Sequence, residues 1–206
     1  WGEKDVIPYD QPEIDFALYM LANAYARGEG ATKDEEVAFD LYQESAENGY
    51  VAAQERLGNC YLLGKGVEKD LVESAKWYQK AANNGDSIAQ LNLGDCYFNG
   101  RGLTQDYRQA FIWYEKSANS GFSVANYRLG EMYVKGLGVK KDDFKAFDFY
   151  LKAAEQGFSV GCLAVSDCYA DGKGVPQDLE IARTWYQKAA DAGYAPYRAW
   201  ANPKNG

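Results

Sequence analysis

Three carboxylates are spaced in a way that could support chemistry. Asp95, Glu131 and Asp167 follow one another at intervals of 36 residues, and a row of neighbouring acids raises pKa values, which is one requirement of general acid–base catalysis. Hydrolysis of a glycosidic bond, however, needs a carboxylate pair that flanks the substrate inside a deep cleft. A repeated array offers an open trough instead, so we predict that the protein is not an enzyme and has no catalytic residue.

Two further patterns resemble ligand-binding loops, and both favour a structural interpretation. The segment GKGVEKD at residues 64–70 is rich in glycine, but it lacks the GK[ST] ending and the preceding strand of a phosphate-binding loop. Calcium requires several oxygen ligands from one short loop, whereas each repeat supplies one aspartate at a fixed position. N-capping of helices is the better interpretation of this series. Its members are Asp34, Asp70, Asp106, Asp142 and Asp178.

Histidine and cysteine usage argues against a metal site. The chain has no histidine, which excludes His-ligated metals and His-based triads. Cys60, Cys96 and Cys168 share one repeat position, and equivalent atoms of stacked helices lie roughly 10 Å apart. A disulfide allows Cα atoms only within about 7 Å. We therefore expect small buried core cysteines, and we predict no metal and no cofactor.

The charge balance restricts the possible partners. The chain has 22 Lys and Arg against 30 Asp and Glu, a formal net charge of −8, which argues against nucleic acid. A partner with positive charge fits, although the acidity also fits solubility alone. No run approaches the roughly 18 apolar residues of a membrane span, so membrane insertion is not expected. The chain begins WGEKDVIPYD without Met, which is compatible with removal of a leader, and a periplasmic, secreted or cytoplasmic location stays open.

The elements that position these residues come from an internal repeat. LGNCYLLGKGVEKD at residues 57–70 returns as LGDCYFNGRGLTQD at residues 93–106, and other copies begin at Leu21, Leu129 and Val165. Apolar residues at three- and four-residue spacing predict a first helix over about residues 51–63 in the second copy. Glycine ends it, and Asp70 with Glu73 predicts a capping box that begins a second helix. The recurring Trp-Tyr pairs of that helix indicate core packing.

A pair of short helices cannot bury its apolar face alone, so the copies must stack on one another. The sequence therefore predicts an all-α, right-handed α/α solenoid of five 36-residue helix-turn-helix repeats plus a C-terminal cap. We expect an extended N-terminal segment at residues 1–12, the repeats at residues 13–195, and a partial sixth helix and tail at residues 196–206. Together they would form one domain, monomeric on its own.

The repeat pattern A-x-x-x-L-G-x-x-Y-x-x-G-x-G-V-x-x-D-x-x-x-A-x-x-W-Y-x-K-A-A-x-x-G resembles the Sel-one-like repeat, a relative of the tetratricopeptide repeat with a longer interhelix loop. The first copy departs from it at Ala22 and Leu41, and the fifth at Gly161, Val165 and Ser166. The resemblance implies a scaffold or adaptor for other proteins. Inhibitors or immunity proteins for secreted effectors are the rival implication, and a hydrolase that uses the carboxylate row is a third possibility.

The resemblance also implies a binding face, because first helices line the concave side in tetratricopeptide-like geometry. We predict that this concave groove binds a protein or peptide with basic and apolar residues. The alternative is that some of these side chains merely fill the inner curve. The predicted groove residues are Tyr19, Asn23, Glu55, Asn59, Leu62, Leu91, Asp95, Phe98, Tyr127, Glu131, Val134, Leu163 and Asp167.

Overall fold

The structure, a computed structural model, describes residues 11–194, which contain ten α-helices and no β-strand. The helix α3 matches the predicted first helix of the second copy residue for residue. The helices are α1 Gln11–Arg27, α2 Glu35–Glu47, α3 Val51–Leu63, α4 Leu71–Asn83, α5 Ser87–Asn99, α6 Tyr107–Asn119, α7 Ser123–Lys135, α8 Asp143–Glu155, α9 Ser159–Asp171 and α10 Leu179–Asp191.

The chain divides into two compact units, Trp1–Gln105 and Asp106–Gly206. Within the first unit, each of α1 to α4 packs on the helix that follows it; within the second, each of α6 to α9 does the same. Packing mainly between sequence neighbours is the organisation of a repeat array. The predicted fold class, an all-α solenoid of five 36-residue repeats, is confirmed. The expectation of one domain stays a prediction.

The predicted terminal segments lie mostly outside the described residues. Residues 1–10 of the expected extended segment are not described, and α1 already begins at Gln11. Pro12 is therefore in the first helical turn, where the missing N–H costs no hydrogen bond. The expected partial sixth helix and tail, residues 196–206, also lie outside the described part of the chain.

The G-x-G motif uses its two glycines for different reasons. Gly64 has φ +68° and its N–H donates to the carbonyl of Cys60 at 2.8 Å, which ends α3 in the left-handed conformation that glycine favours. Gly66 also has a positive φ, and a Cβ there would fall on the carbonyl of Glu35 at the start of α2. The second glycine thus lets the loop of one repeat pack directly on the preceding repeat.

The repeated aspartates are N-caps, as predicted. The Asp70 carboxylate accepts from the N–H groups of Val72 and Glu73 at 2.8 and 3.0 Å, and the other four aspartates of the series make the same pair of bonds. The predicted capping box is wrong in its second half. The Asp70 N–H donates to the Tyr61 carbonyl at 3.0 Å, and the Glu73 carboxylate pairs with Lys76 instead.

The second helices place their aromatic pair in the core, as predicted. Tyr78 is 1% exposed and Trp77 is 8% exposed. The Tyr78 ring lies against Gly58 so closely that a Cβ at Gly58 would be 2.6 Å from two ring atoms. The Lys80 ammonium is 3.7 Å from the Trp77 ring centroid, a stabilising cation–π contact within α4.

The four cysteines are free and buried, which confirms the core prediction. Burial raises the pKa of the Cys60, Cys96 and Cys168 thiols to about 11, so these groups stay protonated and behave as small apolar side chains.

Candidate functional site

Two predicted groove residues at the same repeat position, Asn23 and Asn59, form hydrogen bonds within the fold. The Tyr42 hydroxyl donates to Asn23 Oδ1 at 2.9 Å, and the Tyr78 hydroxyl donates to Asn59 Oδ1 at 2.6 Å. A tyrosine hydroxyl that is mostly removed from water needs such a partner. These asparagines therefore hold the first helix of a repeat to its second helix, in addition to any contact with a partner.

A second predicted row lies beneath the start of the next repeat. Tyr19 is half-buried, and its ring centroid is 5.2 Å from that of Tyr50, the N-cap residue of α3. In the second unit the Tyr127 ring is 5.6 Å from the ring of Phe158, the N-cap residue of α9. Aromatic residues at the starts of α3 and α9 thus cover Tyr19 and Tyr127. The remaining members of the row are buried, with exposures of 5% for Glu55, 8% for Leu91 and 5% for Leu163.

Glu55 is a buried carboxylate with local partners. It accepts from Asn59 Nδ2 at 2.6 Å, and its Oε2 lies 3.5 Å from Arg56 Nε. Burial raises the pKa of Glu55, although the Arg56 charge and the Asn59 hydrogen bond oppose that rise. The Glu55–Arg56 pair is thus part of the wall of α3 rather than an exposed acid.

The predicted acidic row is largely compensated within the chain. Glu131 lies 3.0 Å from Arg128 Nη1 and 3.5 Å from Lys135 Nζ, so two cations flank this carboxylate. Asp95 and Asp167 are half-buried and have interactions of their own. The charge that a partner would meet therefore depends on the neighbouring cations as well as on this row of acids.

The second unit contains a hollow of about 320 Å³. Four predicted residues line it: Tyr127, Val134, Leu163 and Asp167. Its other lining residues are Asp143, Ala146, Tyr150, Val160, Ala164, Cys168, Asp171, Lys173 and Tyr194. Because three acids and one cation are present, we refer to it as the acidic hollow.

The tyrosines of the acidic hollow form its aromatic wall. The rings of Tyr127 and Tyr150 have centroids 5.5 Å apart. Burial raises the pKa of Tyr127, and the charges of Glu131 and Asp167 add to this effect. Burial likewise raises the pKa of Tyr150. Both phenols therefore stay neutral and act as apolar surfaces with a hydroxyl donor, a combination that suits protein interfaces.

The first unit contains a hollow of about 380 Å³, lined by two predicted residues, Asn23 and Asn59. The other lining residues are Ala26, Arg27, Glu35, Ala38, Tyr42, Arg56, Cys60, Leu63 and Lys65. Because three cations and one acid are present, we refer to it as the basic hollow. Arg56 was missed by the sequence analysis, because its row was not assigned to the groove. The signal for that row is its variation, since Met20, Arg56, Asn92, Arg128 and Ala164 share one repeat position.

The two hollows are built from equivalent repeat positions, 108 residues apart in sequence. Each has a tyrosine of the second helix, Tyr42 or Tyr150, and a buried cysteine of the following first helix. The charges differ because Arg27 lines only the basic hollow and because three other basic-hollow residues are replaced in the acidic hollow. Arg56 corresponds to Ala164, Asn59 to Asp167, and Leu63 to Asp171.

The remaining predicted residues line neither hollow: Tyr19, Glu55, Leu62, Leu91, Asp95, Phe98 and Glu131. Within residues 11–194, no group of three or more metal-ligating side chains could hold an ion. Among the helices of that range, none combines the length and the apolar composition needed to cross a membrane.

The repeats of this chain match those of known proteins. The Sel1 repeat pattern matches the chain five times, over residues 15–50, 51–86, 87–122, 123–158 and 159–194. A Sel1 repeat protein from Oxalobacter formigenes is 35% identical with a TM-score of 0.85, over 91% of this chain and 74% of that one. No curated protein matches the chain.

Two other solved structures are informative. A protective antigen present in uropathogenic Escherichia coli strains, which displays an SLR fold, is 37% identical with a TM-score of 0.85 over 93% of this chain. The chain spans only 40% of that antigen's length. An immunity protein from Pseudomonas aeruginosa is 21% identical with a TM-score of 0.56, over 93% of this chain and 72% of its own, which shows a shared fold alone. The five matched repeats, which cover residues 15–194, place this chain in the Sel1 repeat family.

Proposed function

We propose that this protein is a non-enzymatic adaptor that binds a partner protein through the hollows between neighbouring repeats. Sel1 repeat proteins generally mediate protein–protein interaction, and the family is a non-catalytic repeat scaffold. The observation that carries the proposal is the acidic hollow, where an aromatic and aliphatic wall lies beside three aspartates. Such a surface suits a partner segment in which an apolar side chain is flanked by lysine or arginine.

The apolar wall supplies most of the affinity in this proposal. Val134 is 36% exposed at the edge of the hollow, while Tyr127 and Val160 are half-buried. Burying one apolar side chain fully contributes about 1.5–3 kcal/mol. An incoming leucine would bury part of its own surface and part of this wall, so a single anchor residue is sufficient for weak binding.

The aspartates select the partner and accelerate its association. Asp143 pairs with Lys141 at 3.9 Å, and Asp171 pairs with Lys173 at 2.7 Å. Both pairs are exposed, and exposed pairs contribute little, so a partner's cation can replace the lysine at small cost. Attraction of this kind raises the association rate and weakens as salt is added.

Capped heptapeptides with a central leucine and flanking lysine, glutamine or glutamate test the proposal by fluorescence anisotropy. We expect the lysine peptide to bind more tightly than its glutamine isostere. Val134→Ser should weaken it by about threefold or more, the equivalent of part of one buried side chain. Ile112→Ser is the matched control, because Ile112 is 42% exposed in the same unit and lines no part of the hollow.

A second variant separates charge from apolar contact. Asp167→Asn should weaken the lysine peptide and flatten its salt dependence, while Asp148→Asn, an exposed position on α8, should leave both unchanged. Equal binding of the lysine and glutamine peptides would refute a partner site in the acidic hollow. An equal effect of Val134→Ser and Ile112→Ser on binding of the lysine peptide would refute it as well.

The rival function, a dedicated inhibitor or immunity protein for a secreted enzyme, differs in affinity. Adaptors bind in the micromolar range, whereas dedicated inhibitors reach nanomolar dissociation constants. Isolation of the natural partner with the wild-type chain, and titration of that partner against Val134→Ser, would distinguish the two functions.

A further inference from the structure

We propose that the basic hollow of the first unit binds the side-chain carboxylates of an acidic protein segment. This proposal rests on the proposed function, since it assigns a second partner chemistry to the same kind of repeat surface. It departs from the sequence analysis, which predicted basic partners along the whole groove.

The charge of the basic hollow is opposite to that of the chain. Arg27, Arg56 and Lys65 line it together with one acid, Glu35, in a protein whose formal net charge is −8. Glu35 is already paired with Lys33 at 2.8 Å, and the Lys33 hydrogen bond and charge lower the pKa of Glu35. The single acid of the lining is therefore compensated from outside the hollow. Glu55 and Glu29, which also lie outside the lining, pair with Arg56 and Arg27, so Lys65 is the lining cation whose charge no ion pair within residues 11–194 offsets.

Arg56 has a donor without an acceptor. Its Nε is buried and has no hydrogen-bond partner among the described residues. Glu55 Oε2 is 3.5 Å away, close enough for an ion pair but without the geometry of a hydrogen bond. Burial would lower the pKa of Arg56, but the Glu55 charge and a hydrogen bond with Tyr19 raise it, so the guanidinium stays charged. Its planar fork matches a carboxylate.

The other two cations can turn toward a ligand. Lys65 is exposed in the loop after α3, and it forms no ion pair within residues 11–194. Arg27 is exposed at the end of α1, and its ion pair with Glu29 is long, at 3.8 Å. Long flexible side chains in water lose little by exchanging such a pair for a ligand carboxylate.

The walls leave room for the aliphatic part of an acidic side chain. Ala26 and Ala38 have small side chains that leave the hollow open, and Leu63, which is 57% exposed, adds an apolar edge. A hollow of about 380 Å³ is within the size range of small ligand sites. It accommodates one or two side chains and excludes a folded domain. A polyanion such as nucleic acid would extend beyond the hollow over the rest of an acidic protein, whose formal net charge is −8, and would be repelled there, so separated carboxylates fit better.

The same heptapeptides test this inference with the full chain. At low salt, we expect the glutamate peptide to bind wild type about fivefold more tightly than the glutamine peptide, the size of one partly screened charge pair. Lys65→Gln should weaken binding of the glutamate peptide by about threefold. Lys69→Gln is the matched control, because Lys69 is an exposed lysine of the same loop that lies outside the hollow.

Arg56 needs a variant that keeps its charge beside Glu55. Arg56→Lys retains a cation but loses the planar fork, so it should weaken the glutamate peptide by about threefold while circular dichroism stays unchanged. If Arg56→Lys and Lys65→Gln both bind like Lys69→Gln, or if glutamate and glutamine peptides bind equally, the inference is wrong. Tighter binding of a phosphoserine peptide than of the glutamate peptide would overturn the carboxylate assignment.

The two proposals fail separately. Binding of the lysine peptide and its loss in Val134→Ser depend on the acidic hollow of the second unit. Binding of the glutamate peptide and its loss in Lys65→Gln depend on the basic hollow of the first unit. If only the glutamate-peptide results fail, the carboxylate site is therefore refuted and the proposed adaptor function is unaffected.

Discussion

Gly58→Ala has two opposing effects on the stability of the protein, and the structure indicates which one is larger. Alanine is favoured over glycine in a helix by about 0.5–1 kcal/mol, so α3 taken alone should become more stable. In the protein, however, the new Cβ would be 2.6 Å from two ring atoms of Tyr78, which is 1% exposed. The ring cannot turn into solvent, so helix α3 and helix α4 must separate.

Overpacking of a core usually costs about 1–3 kcal/mol, and displacement of the ring weakens the 2.6 Å bond from Tyr78 to Asn59, which is worth about 1 kcal/mol. We therefore expect Gly58→Ala to lower the free energy of unfolding by about 2 kcal/mol in net terms. The assay is urea unfolding followed by far-UV circular dichroism. In a Tyr78→Leu background the same change should cost at least about 1 kcal/mol less, which a double-mutant cycle measures.

Gly130→Ala repeats the experiment in the second unit, where the Cβ would be 2.5 Å from the Tyr150 ring. Stabilisation by either alanine, or an additive double-mutant cycle, would refute the argument that the aromatic ring dictates this glycine.

Two other predictions concern single side chains. Asp70→Ala should lower the free energy of unfolding by about 1 kcal/mol, because two N–H groups of α4 lose their acceptor; Lys69→Ala is the control in urea unfolding. The carboxyl of Glu55 should have a pKa above the ordinary value for a glutamate, since burial is the largest influence on it, and Arg56→Gln should raise that pKa further by removing the charge that opposes the rise. Carbon-detected NMR of the carboxyl measures the pKa in both proteins, and a wild-type pKa at or below the ordinary value would contradict the burial argument.

The repeat made most of the fold predictable. A helix from residue 51 to residue 63, its end at Gly64 and the cap at Asp70 follow from short-range patterns that recur with each copy, and α3 has the predicted bounds. The capping box failed at Asp70 because its N–H has a better acceptor in the Tyr61 carbonyl. That bond depends on the path of the G-x-G loop and cannot be inferred from residue types.

The site was less predictable because exposure depends on the neighbouring repeat. Leu91 and Leu163 were assigned to an open face by analogy, but both are buried. In the same row, the start of the following first helix covers Tyr127, as its contact with Phe158 illustrates. Arg56 was overlooked for the opposite reason. Its position varies between repeats, and a varying position is one that the fold does not fix.

The equivalence of the two hollows allows a direct test of that principle. Ala164→Arg, Asp167→Asn and Asp171→Leu together give the acidic hollow three of the residues that distinguish the basic one. Its lining would change from three acids and one cation to one acid and two cations, while Tyr150, Cys168 and the helix caps are untouched. If varying positions alone set the partner, the lysine peptide should no longer bind the second unit, and the glutamate peptide should bind that unit more tightly than it binds the wild type. Lys65→Gln in the same chain reduces the contribution of the first unit. Retained lysine preference in this variant, with helicity unchanged, would mean that the shared scaffold and not the varying residues selects the partner.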